Sequence, residues 1–248
     1  MIKKNSFFLN KILKTPLLQN ILYVCLGRTM SNILKIQSHI LKGLVFVHEI
    51  CEKNNITYYL IGGSALGAQR HSGFIPWDDD ADIGVKRDDY IKLIAILKLT
   101  NNKKYFLQNT DIDTEFYKGY RKLSVNGTIY KDKYYRDSKI HHGISLDIFP
   151  LLILNKKGLF NISKKILKSN NKIPKVKSYV NFYGRYKFNK EINSMETLGK
   201  AKLKKFKNSW LLAPEYINDY LFNLYGDYME LSPLNSREAH SPFKIKIN

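Results

Sequence analysis

Cysteine is almost absent from this 248-residue chain. Cys25 and Cys51 are too few to build a disulfide framework, and each sits in an apolar, helix-like run that suits a small buried side chain. That usage fits a reducing cytoplasm. No Cys/His group has zinc-ligand spacing. Long apolar runs are missing as well. The uncharged stretch between Lys14 and Arg28 is shorter than the ~20 residues a spanning helix needs. With no small-residue cleavage site beside it, no signal peptide is predicted. There is no internal repeat and no flexible linker marking a domain boundary. Acidic residues are scarce: 21 Asp and Glu stand against 41 Lys and Arg, a net charge of +20. Such a balance calls for an anionic partner, whether nucleic acid, an anionic lipid surface or a phosphorylated glycan. The chain is rich in Lys, Asn and Ile throughout, so part of the excess is an ordinary solvated lysine surface.

Against that basic background, residues 62–85, GGSALGAQRHSGFIPWDDDADIGV, hold most of the side chains whose usual explanation is chemistry. Residues 57–61 read as a short buried strand. Gly62-Gly63-Ser64 breaks it, and residues 65–70 read as a short helix. A strand broken by glycines into a helix leaves N–H donors unpaired at the helix start, which with the helix dipole make an anion site. Ser64 can cap the helix or bind the anion. The same residues also suit a plain strand–turn–helix corner.

Asp78, Asp80 and Asp82 are spaced two apart, so on an extended strand they share one side, with Asp79 and Ala81 on the other. Like charges at 4 Å repel by roughly 4 kcal/mol per pair at an effective dielectric of 20. A bound Mg²⁺ removes that cost and also draws in phosphate oxygens. A solvated acidic turn is the plainer alternative. The apolar strand continuing through Ile83 and Val85 and the Pro76-Trp77 corner favour the metal. Asp147 lies among Ile144, Leu146, Ile148 and Phe149, where burying a carboxylate is costly unless it is paired or metal-bound. Asp147 and Asp82 are therefore expected on adjacent strands facing one ion.

The first stretch, SLDIFPL at 145–151 and YGDYMELSP at 225–233 together resemble the LicD family, the bacterial phosphocholine transferases related to fukutin and fukutin-related protein. The resemblance frames roughly residues 40–235. It implies a nucleotidyltransferase-like α+β fold, a mixed sheet flanked by helices. It also implies transfer of a phosphorylated alcohol from a CDP-activated donor, such as CDP-choline, to a glycan or lipid-linked glycan of lipopolysaccharide or teichoic acid type. By position it assigns metal ligation and catalysis to Asp80, Asp82 and Asp147, with Mg²⁺ or Mn²⁺ as cofactor. It makes Gly63, Arg70, Trp77 and Asp78 donor contacts beside Gly62 and Ser64.

The chain divides into an N-terminal amphipathic segment (1–30), a catalytic core (31–153), a helical, basic acceptor-side region (154–233) and a polar tail (234–248). Residues 1–30 mix Phe7, Leu9, Ile12 and Leu13 with Lys3, Lys4, Lys11 and Lys14. They suit either a helix on an anionic membrane surface or a helix packed on the domain. Residues 31–53 read as a long helix capped by Ser31, and residues 88–98 as a second with Asp88 and Asp89 in its first turn. Strands are expected at 104–108, 117–125 and 128–131, the last two joined as a hairpin by Asn126-Gly127. Arg121 and Lys122 are within reach of a diphosphate on such a hairpin, but a solvated cationic edge is the plainer reading. His141-His142 reads as a strand pair with rings on opposite sides. Residues 211–225 read as a further helix. The expected location is the cytoplasm, peripherally on the inner membrane face, with nucleic acid not the partner. Two other readings share these residues: a nucleotidyltransferase acting on RNA or a small molecule, and a non-catalytic glycan- or membrane-binding protein.

Overall fold

The first regular element is organised by apolar spacing. Ile33, Ile36, Ile40, Leu44, Val47 and Cys51 recur at three or four residues and are all buried, so one face of helix α1 (Met30–Lys53) forms a wall of the core. Ser31, expected as its cap, lies inside the helix rather than before it. The helix ends where Asn54 donates its side-chain amide to Ile50 O at 2.8 Å and Asn55 turns to a positive φ. The computed structural model describes residues 30–109, 113, 115–116, 119–132, 135–154, 178–181, 192–231 and 242–247. The expectations for residues 1–29, including Cys25, lie outside them, as do those for the whole lysine-rich stretch 155–177.

The core is a seven-stranded mixed sheet. In chain order come β1 (Tyr58–Leu60), helix α2 (Gly62–His71), β2 (Asp82–Lys86), helix α3 (Arg87–Leu99), β3 (Tyr105–Gln108), β4 (Arg121–Val125), β5 (Ile129–Asp132), which lies outside this sheet, β6 (Ser145–Leu154), β7 (Ser178–Asn181) and β8 (Ile192–Ser194). The spatial order is β1-β2-β6-β4-β3, with β7 on the far half of β6 and β8 on β7. The β2–β6 pair is parallel and the others antiparallel. Helices α1 and α3 pack against β6, giving an α+β molecule with helices flanking the sheet.

β6 is the axis of the site. Leu146, Ile148, Phe149 and Leu151 are all buried, the near-continuous apolar run of a central strand. Asp147 is the acid embedded in that run. α3 starts with Asp88 and Asp89, as expected, and Asp89 Oδ2 accepts from Thr57 N–H at 3.0 Å.

Four sequence expectations change. The aspartate strand starts only at Asp82, and residues 78–81 approach it as irregular chain. Asn126-Gly127 does turn, with Gly127 at φ +79°, but β4 and β5 form no ladder together. β4 is claimed on its two sides by β3 and β6, while β5 pairs with β11 (Pro242–Lys246). That pairing also corrects the reading of 234–248 as a tail. Finally, the region expected to be helical holds β7, β8, a short helix α4 (Met195–Leu198), the hairpin β9 (Lys202–Phe206) and β10 (Ser209–Ala213), and helix α5 (Ile217–Tyr225). The helix expected from residue 211 starts at 217, because Leu211 and Ala213 alternate inward as part of β10.

Candidate active site

Parallel pairing of β2 with β6 sets Asp82 directly opposite Asp147. On the other side of β6, β4 sets Lys122 opposite Asp147. Three charged residues thus lie side by side across the sheet. The Lys122 ammonium reaches Asp147 Oδ1 at 2.6 Å and Ser145 Oγ at 3.2 Å. Burial alone would lower its pKa, but the carboxylates of Asp147, Asp80 and Asp82 outweigh that and hold it above the ordinary lysine value. Lys122 is therefore an internal counter-ion. The sequence read it first as a solvated edge, with reach to a diphosphate as the alternative, because nothing local reveals which strand lies beside β4.

The other aspartates close in from the irregular lead-in. Asp78 is pushed well above the usual carboxylate range, by burial first and then by the charge and hydrogen bond of Asp80 and the charges of Asp82 and Asp79. Asp79 is buried and accepts a short hydrogen bond from the Tyr130 hydroxyl of β5. Gln37 of α1 fixes the corner before them, donating its amide to Ile75 O at 3.2 Å and Asp78 O at 2.8 Å.

Helix α2 presses its glycines against this cluster. A Cβ on Gly63 would stand 3.0 Å from Asp78 Oδ2, and one on Gly62, which has φ +52°, would stand 3.4 Å from Asp82 Oδ2. The N-terminal end of the helix therefore lies beside the chain's own carboxylates. Gly62 N–H donates to the Tyr220 hydroxyl of α5 at 2.9 Å. Ser64 is buried, and its hydroxyl accepts from Asp82 N–H at 2.8 Å, tying α2 to β2. It does not cap α2, whose N-cap is Ile61.

Two further expected donor contacts, Trp77 and Arg70, are engaged with the protein itself. Trp77 is buried in the hydrophobic core. Arg70 lies about 12 Å along the α2 axis from Gly62. Its guanidinium donates to Tyr228 O at 2.7 Å and Glu230 O at 3.3 Å, joining the first motif to the third.

Asp80 and Asp147 face a cavity of about 130 Å³. Its other walls include Asp79, Lys122, the aromatic rings of Phe116, Tyr120, Tyr130 and Tyr135, and both His141 and His142. Neither Gly62 nor Gly63 of α2 lines it. Tyr120 stacks on Phe149 with ring centroids 4.4 Å apart, and burial, then the charges of Asp147 and Asp82, raise its hydroxyl far above the usual range. The histidines precede β6 in irregular chain, so both reach one cavity despite being adjacent. Burial lowers His141, which stacks on Phe106. Tyr120, Tyr130 and Lys122 are the site residues that sequence reading missed. The apolar environment of Asp147 was the available signal that some cation must lie beside it.

Among the described residues, no three His, Cys, Asp or Glu side chains form a ready-made metal-ligand group. That does not exclude a hard cation, since Mg²⁺ commonly takes one or two carboxylates and completes its shell with substrate phosphates and water. The residues that could contribute to such a shell are Asp80 and Asp82, whose charges both act on Asp78.

A family model described as LicD/FKTN/FKRP, nucleotidyltransferase domain, matches residues 55–191. The chain is 26% identical to the lipopolysaccharide cholinephosphotransferase LicD of Haemophilus influenzae, over 79% of this chain and 91% of that protein. A 50-residue stretch is 54% identical to an uncharacterized protein of Rickettsia prowazekii, covering 20% of this chain and 19% of that one. A 44-residue stretch is 46% identical to the human ribitol 5-phosphate transferase FKRP, covering 18% of this chain and 9% of that one.

Proposed function

The chain belongs to the LicD/FKTN/FKRP nucleotidyltransferase-domain family, and from that premise we propose that it transfers a phosphorylated alcohol from a CDP-activated donor to a sugar hydroxyl of a cell-surface glycan. The observation that carries this reading is the alignment of Asp82, Asp147 and Lys122 across three strands, beside Asp80 and an aromatic-lined cavity. The cavity's aromatic lining suits a small headgroup. Aromatic faces together with carboxylates attract a quaternary ammonium, which supports phosphocholine among the alcohols the relatives' names suggest.

In this reading Asp80 and Asp82 would hold Mg²⁺ or Mn²⁺ together with the donor's phosphates, with Asp147 as the third acid. The ion, when bound, neutralises charge on the diphosphate and in the transition state. The headgroup is held by the rings of Tyr120, Tyr130 and Tyr135. The sugar oxygen attacks the phosphorus bearing the alcohol, the phosphoanhydride bond breaks, and CMP departs with the bonding pair. Asp147, its direction fixed by Lys122, takes the proton from the sugar hydroxyl.

The test incubates the purified chain with CDP-choline or CDP-ribitol carrying separate labels on the alcohol and the cytidine, with isolated glycan, with and without EDTA. The alcohol label is expected on the glycan and the cytidine label in free CMP, with turnover abolished by EDTA. Asp80→Asn and Asp82→Asn should each lower turnover about a hundredfold or more, the scale of losing one preorganised electrostatic partner, while folding is retained. Near-normal activity in both variants would overturn the site assignment. Cytidine label on the acceptor would favour the nucleotidyltransferase alternative.

A further inference from the structure

The hairpin β9–β10 has one face too many of the apolar kind. Its residues alternate. Phe206, Leu211 and Ala213 point into the core and are fully buried. On such a hairpin the opposite face normally reads polar. Here it carries Leu203 opposite Leu212 and Lys205 opposite Trp210. Leu203 is 54% exposed and Trp210 59% exposed. Lys205 shares that face, Lys207 follows in the exposed turn and Lys200 precedes the hairpin, while Lys202 and Lys204 alternate to the opposite side, where Lys202 pairs with Glu215 at 3.4 Å.

We propose that this hairpin docks the protein on an anionic bilayer surface. Tryptophan favours the depth where headgroups meet acyl chains. Lysines beside it can bury their stems and keep their ammonium groups at anionic headgroups. The charge selects this occupant. A second copy of the hairpin would bring two sets of lysines together, whereas an anionic membrane answers both the apolar centre and the basic rim. Among the described residues no helix is long and apolar enough to cross a membrane, so contact through this face would be peripheral. The docking face is rigidly tied to the site. Lys207 N–H donates to Ser72 O at 2.6 Å, at the C-terminal end of α2, whose other end abuts Asp78 and Asp82. The helix between them is about 15 Å long, which bounds the distance between the hairpin's turn and the carboxylates. The proposal stands independently of the transfer reaction.

The test is flotation of the full chain with phosphatidylcholine vesicles, with and without phosphatidylglycerol. Binding is expected only with phosphatidylglycerol and should weaken with salt. Emission from Trp210 should shift to the blue on binding, while Trp77, already buried, stays constant. Lys205→Glu/Lys207→Glu and Leu203→Ser/Trp210→Ser should each weaken binding about tenfold or more, and Trp210→Phe should retain most of it. Circular dichroism of each variant establishes that it is folded. Variants that float like the parent would overturn the proposal by moving the contact to another segment. So would a parent that ignores anionic vesicles, or one that forms a lipid-independent dimer split by Trp210→Ser.

Discussion

Replacing Lys122 by methionine keeps the length of the side chain and removes its charge. Asp147 would then sit among Leu146, Ile148 and Phe149 with its ammonium partner gone. Side-chain exposure in the pair is 23% for Lys122 and 10% for Asp147, so solvent can compensate only partly. Breaking a buried pair by removing one partner costs about 3–5 kcal/mol, and the residual exposure of Lys122 puts the expected loss near 3. For a chain of this size each kcal/mol lowers Tm by about 2–4 °C, so Lys122→Met should melt about 6–12 °C earlier. The companion Lys122→Met/Asp147→Leu removes both charges and should recover most of the loss. Thermal and urea unfolding followed by circular dichroism, run as a double-mutant cycle, measure both. A single-variant cost under about 1 kcal/mol, the range of exposed pairs, would refute the counter-ion role. So would a double variant whose loss equals the sum of the two single ones.

Gly67→Ala should destabilise by about 1–3 kcal/mol or more, because its Cβ would fall 2.3 Å from Gly73 O in packed backbone. Urea unfolding reads this directly. Arg70→Ala removes charged donors from Tyr228 O and Glu230 O and should cost about 1.5–3 kcal/mol, with faster hydrogen exchange confined mainly to residues around 226–231. Burial, with a smaller contribution from Asp89, raises Cys51 to about 12. A thiol raised in the folded state resists deprotonation, so stability falls as pH rises from the unfolded value near 9 toward 12. At pH 8 the native chain should alkylate at most at Cys25, and a second thiol should react only after denaturation.

How much of this was legible varied with how local each signal is. α1 and α3 could be read because their apolar stripes repeat within a few residues, and β6 because its apolar run announces a central strand. The convergence of Asp82 and Asp147 followed from asking what an acid does inside such a run. Lys122 was misjudged because its partner is set by sheet order, which no residue near it encodes. The Asn126-Gly127 turn was read correctly as a turn, yet β4 had both edges taken by β3 and β6, so β5 had to find another strand. Residues 202–213 were assigned outside the sheet class because lysines obscure the alternation that Phe206, Leu211 and Ala213 reveal once burial is known. Arg70 was expected at a phosphate by its place in the motif, whereas its reach is decided by the path of the chain after α5.

The pairing of β11 with β5 sets the order in which the site can be completed during synthesis. Tyr130, which holds Asp79, sits opposite Ile245 in that ladder. The aspartates, β6 and Lys122 all emerge from the ribosome long before residues 242–246, an interval on the order of 10 s at ordinary elongation rates. Until then one wall of the cavity has an unpaired edge. A nascent chain therefore carries its charged centre well before it carries a finished pocket, and premature termination ahead of residue 242 should yield a protein that folds its sheet but leaves Tyr130 without the ladder that positions it against Asp79.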